Sequence, residues 1–290
     1  MVVLSGQGVV RLAFVLMLGT AAHAAAGAQE SATMGMDAQA LVRQAVANRL
    51  ATEKSHRPMQ YLLHKVDERH DTTKEIVETK DGDVARLVAV NGQPPSAEVE
   101  QAELARLNDL AAHPELQQKR KKNEQRDQER VDHLMGMLPD AFLYKVEGVD
   151  SCSAGRCYRL SFAPNPKWEP PDMEASFFRG VAGEVWISQA ETRLTRLDAH
   201  FVEDVNLGFG FLVRVNKGGT VQMEQTDVGG GDWELTGMTM HVMGRALLVK
   251  PLNFQVRQEA SRFAPVPPMG YAAAIEMLKK FRLDAPAGAK

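Results

Sequence analysis

Trp233-Glu234-Leu235-Thr236-Gly237-Met238-Thr239-Met240-His241-Val242 alternates apolar and polar side chains twice, and the two halves are out of phase. Trp233 and Leu235 belong to one phase, Met238, Met240 and Val242 to the other, and Gly237 sits at the change. Strand side chains point to alternate faces, so a one-residue slip swaps faces, and a β-bulge at a glycine absorbs the slip. The stretch therefore predicts a long, bulged strand with one buried face. Its surroundings repeat the pattern. Leu197, Ala199 and Phe201 alternate, as do Phe211, Val213 and Val215, and Val221, Met223 and Gln225. Six strands are predicted near 183–188, 193–204, 209–215, 220–227, 233–242 and 245–256. The connections Asn216-Lys217-Gly218-Gly219 and Gly229-Gly230-Gly231-Asp232 carry turn residues.

Five more strands are predicted upstream, at 59–69, 73–79, 84–90, 142–149 and 157–162, which makes eleven. Asp81-Gly82 reads as a tight hairpin turn with positive φ at both central residues. A helix is predicted over 37–51, where Ala38, Leu41, Val42, Ala45 and Leu50 form an apolar stripe. Another is predicted over 271–281, with Ala274, Met277, Leu278 and Phe281 on its apolar face. Met173 to Phe178 reads as one or two helical turns. Residues 96–137 form a charged helical insertion between the third and fourth strands. Ser96 is placed as its N-cap, and Pro114 divides it into helices over 96–112 and 115–137. The fold class is α+β, with a strongly curved, mostly antiparallel, unclosed sheet.

The chain opens with the layout of a cleavable export signal. Arg11 ends a weakly basic start, Leu12 to Leu18 is apolar, and Ala22-His23-Ala24 and Ala26-Gly27-Ala28 fit small-x-small cleavage sites. The apolar core is short of the roughly 20 residues a membrane-spanning helix needs. The expected division is a signal peptide over 1–28 and a single domain over 29–290, acting in the periplasm without a transmembrane anchor. Losing Arg11 and no acidic residue moves the formal charge from −3 to −4. That near balance argues against a nucleic-acid partner.

Cys152 and Cys157 are the two cysteines. In an oxidising compartment so close a pair reads as a structural disulfide. Closing the short loop removes roughly 2 kcal/mol of unfolded-state entropy. A redox-active pair usually has two intervening residues rather than four, and a metal site needs further ligands. No Gly-x-Ser-x-Gly elbow, His-Glu-x-x-His pair or phosphate-cradling loop is present. His64 and His70 lie roughly 20 Å apart along an extended strand, too far for one metal. The sequence thus offers no catalytic residue, metal site or cofactor.

The order helix, antiparallel strands, helical insertion, antiparallel strands resembles the LolA-like periplasmic lipoprotein carriers. The most similar stretch is Gly183-Glu184-Val185-Trp186-Ile187-Ser188-Gln189-Ala190-Glu191-Thr192-Arg193-Leu194-Thr195-Arg196-Leu197-Asp198. The resemblance covers about 37–282 and implies an eleven-stranded half-barrel with helices packed in its mouth. It also implies a hydrophobic ligand, either a lipid or the acyl chain of a protein. Methionine suits irregular apolar pockets, although Met223, Met238, Met240 and Met243 equally suit an ordinary core. Candidate lining residues are Trp186, Phe201, Phe211, Val213, Met223, Trp233, Met238 and Met240, with helix 37–51 or 271–281 as a lid. Trp168, in a proline-rich loop, either caps the sheet or stands on a ligand rim. The alternative function is a periplasmic sensor or scaffold that docks an envelope protein through helix 115–137, a segment that also reads as a plain solvated helix.

Overall fold

The computed structural model describes residues 36–283, except 54–55, 209–211 and 247–249. The expected signal peptide over 1–28 and Phe211 lie outside the described residues. Four α-helices are described: α1 (Ala38–Glu53), α2 (Ala97–Ala112), α3 (Pro114–Ala141) and α4 (Tyr271–Lys280). Twelve strands are described. They are β1 (Met59–Asp67), β2 (Asp71–Val77), β3 (Val84–Val90), β4 (Phe142–Cys152), β5 (Gly155–Pro164), β6 (Val181–Ser188), β7 (Leu194–Phe201), β8 (Val205–Gly208), β9 (Leu212–Val215), β10 (Thr220–Asp227), β11 (Trp233–Ala246) and β12 (Lys250–Pro265). Hydrogen-bonded neighbours follow the order β3-β2-β1-β12-β11-β10-β7-β6-β5-β4, and β8 and β9 join beside β11. The path does not close, so β3 and β4 are edges. The fold is α+β with an unclosed antiparallel sheet, as the alternation predicted.

Among the described residues the strand count is twelve, not eleven. The predicted strand over 193–204 ends at Phe201, and Val205–Gly208 forms a separate strand paired with Leu212–Val215. Asp204 makes the break: its carboxylate accepts from Lys217 N at 2.8 Å and pairs with Arg214. The phase change in β11 is absorbed as predicted. Gly237 pairs with Glu224 while Leu235 pairs with Gln225, which leaves Thr236 as the extra residue.

The hairpin reading at Asp81-Gly82 needs correction. β2 ends at Val77 and β3 starts at Val84, so the connection is longer than two residues. Only Gly82 has positive φ, at 106°. The Thr79 hydroxyl organises the loop, accepting from Asp81 N at 3.0 Å and donating to Gly82 O at 2.6 Å. A side chain that bonds its own loop replaces the two-residue turn.

The residues form two compact units. Among the described residues, one comprises Arg57–Asp127 and 258–283. Its core packs Val77 and Val84 against Leu107 and Leu110 of α2 and Tyr271, Ala274, Ile275 and Leu278 of α4. α2 begins where Ser96 accepts from Val99 N at 3.3 Å, an N-cap that satisfies an otherwise orphan donor. α2 also tends the β3 edge: Glu103 accepts from Leu87 N at 2.8 Å and Arg106 donates to Ala85 O at 2.6 Å. Buried Arg86 donates to the carbonyls of Leu278, Lys279 and Phe281, which caps the C-terminus of α4. Tyr61 of β1 stacks on Phe263 of β12 at 4.9 Å.

Among the described residues, the other unit comprises 36–56 and Gln128–Arg257. Its core is set by the inward residues of β4 to β7, β10 and β11, with α1 and the end of α3 laid on them. A phenylalanine cluster fills one part of this core. Phe142 meets Phe162 at 4.9 Å and Phe178 at 5.3 Å, and Phe177 meets Phe178 at 4.3 Å. Phe177 and Phe178 come from a 3₁₀ turn, Ala175–Gly180. Trp168 lies edge-on to Phe178 at 6.0 Å and belongs to this cluster.

Candidate functional site

α1 starts where Asp37 accepts from Ala40 N at 3.0 Å. Its apolar stripe is fastened to the sheet by polar contacts at both ends. At one end the Gln39 amide donates to the carbonyls of Pro139 and Phe142, and Arg43 pairs with Asp140 at 2.5 Å. At the other, Asn48 donates to the carbonyls of Glu191 and Thr192 at 3.3 and 3.1 Å, and Arg193 reaches back to Asn48 O and Thr52. Between the fastenings, Val42 and Val46 face a cavity.

That cavity is lined by Val42 and Val46 of α1, Leu138 of α3, Tyr144, Phe162 and Val185 of β4, β5 and β6, Leu194, Thr195, Arg196 and Leu197 of β7, and Met223 and Gln225 of β10. Its free volume is about 40 Å³, room for about three water molecules. The walls are almost wholly apolar. Tyr144 donates its hydroxyl to Leu138 O at 3.0 Å, and burial pushes its pKa up. The Arg196 guanidinium bonds Asp198 at 2.6 Å and lies over the Trp186 ring, 4.8 Å from its centre.

The candidate lining residues fall in several places. Met223 lines the cavity. Phe201, Met238 and Met240 are buried in the same unit's core but do not line it. Trp186 alternates away from Val185 and Ile187, donating its indole N–H to Asp150 at 3.0 Å. Trp233 donates to Glu191 at 2.8 Å. The Val213 backbone pairs with Ala246 and Leu207. Of the two proposed lids, α1 covers the cavity and α4 packs on α2. The sequence reading missed Tyr144, Phe162, Val185 and Leu194, which alternate within short strands whose burial depends on distant partners. It also missed Gln225, although a polar residue in phase with Val221 and Met223 was the available signal.

Cys152 and Cys157 form a disulfide across the β4–β5 turn, with Cα atoms 5.9 Å apart. Among the described residues no group of three or more His, Cys, Asp or Glu could hold a metal ion. His64 pairs with Asp71 and His133 with Asp172, each at 2.8 Å. No helix of the described residues is long and apolar enough to cross a membrane.

Fold and cavity together describe an α+β protein whose open antiparallel sheet carries a helix-covered apolar pocket. No protein-family description matches the chain, and no curated protein matches it. Solved structures similar to it include a DUF1329 family protein from Desulfovibrio piger, at 10% identity and TM-score 0.32, covering 82% of this chain and 97% of that one. Another is a putative outer membrane lipoprotein-sorting protein domain from Vibrio parahaemolyticus, at 8% identity and TM-score 0.31, covering 82% of this chain and 100% of that one. A third is MucB in complex with MucA(peri), at 11% identity and TM-score 0.21, covering 79% and 99%. At such scores these neighbours add no argument of their own, and the fold rests on the strand order described above.

Proposed function

We propose that this chain is an exported, non-catalytic binding protein that shelters a hydrophobic molecule, a lipid or a protein's acyl chain, between α1 and the sheet. The observation that carries this reading is the cavity itself, an apolar space under a helix whose fastenings are polar and partly exposed. Burying an acyl chain there yields about 0.8 kcal/mol per methylene. The cavity as it stands holds only a few atoms, so uptake requires α1 to lift. The export-signal layout supports a periplasmic site of action, with 29–290 working as one functional domain and 96–137 as its helical insertion.

The test is native mass spectrometry of the protein purified from its own envelope fraction, followed by organic extraction. Co-purified lipid or acylated peptide is the expected result. An empty protein that also refuses a fluorescent acyl probe after delipidation would overturn the reading.

A further inference from the structure

Gln225 stands out in the pocket. The residue is 7% exposed and lines the cavity. Its backbone oxygen accepts from Ser153 at 3.1 Å, but among the described residues its side-chain amide meets no protein partner. The fully buried, unpaired side-chain atoms of the described residues lie elsewhere, so this amide keeps some contact with open space. A ligand that filled the pocket without pairing with it would leave it buried and unpaired, which is costly. Thr195 stands beside it in the same wall and is 2% exposed. Its hydroxyl oxygen lies 3.3 Å from Trp186 O and 3.2 Å from Cys157 Sγ. Cys157 is in a disulfide and has no S–H, so the threonine hydrogen is spent on one of these two acceptors. The Thr195 oxygen keeps accepting capacity. Arg196, the cationic residue in the lining, is committed to Asp198. This end of the pocket therefore offers one amide donor pair, two acceptor oxygens and no free positive charge.

We infer that Gln225 reads an uncharged hydrogen-bonding group on the ligand, with Thr195 as a second acceptor, so that the pocket selects apolar molecules bearing a hydroxyl, ester or amide over plain hydrocarbon and over carboxylates. This rests on the pocket reading above and adds to it the chemistry of the ligand's polar end. A hydroxyl both donates and accepts and so satisfies the glutamine amide. A carboxylate would lose its hydration with no cation to replace it. Plain hydrocarbon would leave the amide unpaired.

The experiment compares decan-1-ol, decane and decanoate at pH 8 with the delipidated full-length protein, reading dissociation constants by displacement of a fluorescent acyl probe. The wild-type protein is expected to bind decan-1-ol about tenfold more tightly than decane, the ratio set by one satisfied buried hydrogen bond. Decanoate should bind more weakly than the alcohol. Gln225→Leu should bring the alcohol and alkane within about twofold of each other, chiefly by tightening decane. Gln225→Met should do the same, and thermal melts of both variants check that they remain folded. Equal wild-type affinities for alcohol and alkane would overturn this inference alone, with water the sole partner of the amide. So would tighter binding of decanoate, or a preference that survives in Gln225→Leu. Failure to bind any of the three would overturn the pocket reading together with it.

Discussion

Glu75 shows what one buried side chain does to the molecule's pH response. It is 2% exposed. One carboxyl oxygen accepts from Gln60 and the other has no partner. Burial pushes its pKa up from 4.5 to about 7, against the opposing pull of Gln60 and Arg262. Between those two values the folded protein holds a proton that the unfolded chain has released. Stability therefore falls as pH rises from about 4.5 to about 7 and levels off above. Glu75→Gln should flatten that slope and stabilise the protein at pH 8 by up to about 3 kcal/mol, at 1.36 kcal/mol per pKa unit. Urea denaturation at pH 5 and pH 8 measures it, and an unchanged pH slope in the variant would refute it. Gly183 presents the opposite constraint. A Cβ there would lie 2.2 Å from Ala199 Cα and from Asp198 O. Both obstacles are backbone, so Gly183→Ala should cost about 2–3 kcal/mol through overpacking, seen as a lowered denaturation midpoint.

At the scale of elements, α2 acts on an edge strand. Glu103 and Arg106 occupy Leu87 N–H and Ala85 C=O on β3, groups that would otherwise be open for pairing with another chain. Glu103→Ala with Arg106→Ala should promote self-association, visible as a concentration-dependent rise in mass by light scattering. α1 carries a second expectation. Asn48 and Arg43 hold its two ends by polar contacts at the surface, and exposed contacts contribute little stability. Replacing both by alanine should speed acyl-probe uptake several-fold while moving the melting temperature by only a degree or two. A large stability loss with no gain in rate would instead make α1 a fixed structural helix.

For the whole molecule, the Cys152–Cys157 bond closes a loop of sequence separation 5. Reduction should lower stability by about 2 kcal/mol, because so short a loop removes little unfolded-state entropy. Dithiothreitol added before a thermal melt tests this, and outright unfolding would show that the bond does more than restrain the turn. A ligand of the proposed class should raise the melting temperature. At a free concentration a hundredfold above its dissociation constant it adds about 2.7 kcal/mol.

Much of the architecture was legible in the sequence because its signals are local. The out-of-phase alternation around Gly237, the Ser96 cap, the Pro114 break and the glycine turn at 229–231 each depend on residues close together in the chain. β8 and the latter half of β12 were not legible. Val205–Gly208 is too short to show a period. Gln258-Glu259-Ala260-Ser261-Arg262 lacks an apolar alternation and is strand because β1 pairs with it, as Tyr61 on Phe263 and Val266 N on Pro58 O record. The pocket followed the same rule. Sequence alone determined that inward residues of the late strands are apolar and that Gln225 shares their phase. Only the tertiary structure decided that Trp186 turns outward to Asp150 and that α1 lies over Leu197 and Met223. Side-chain alternation is a property of one strand, whereas a cavity is the gap left between several elements once each has packed.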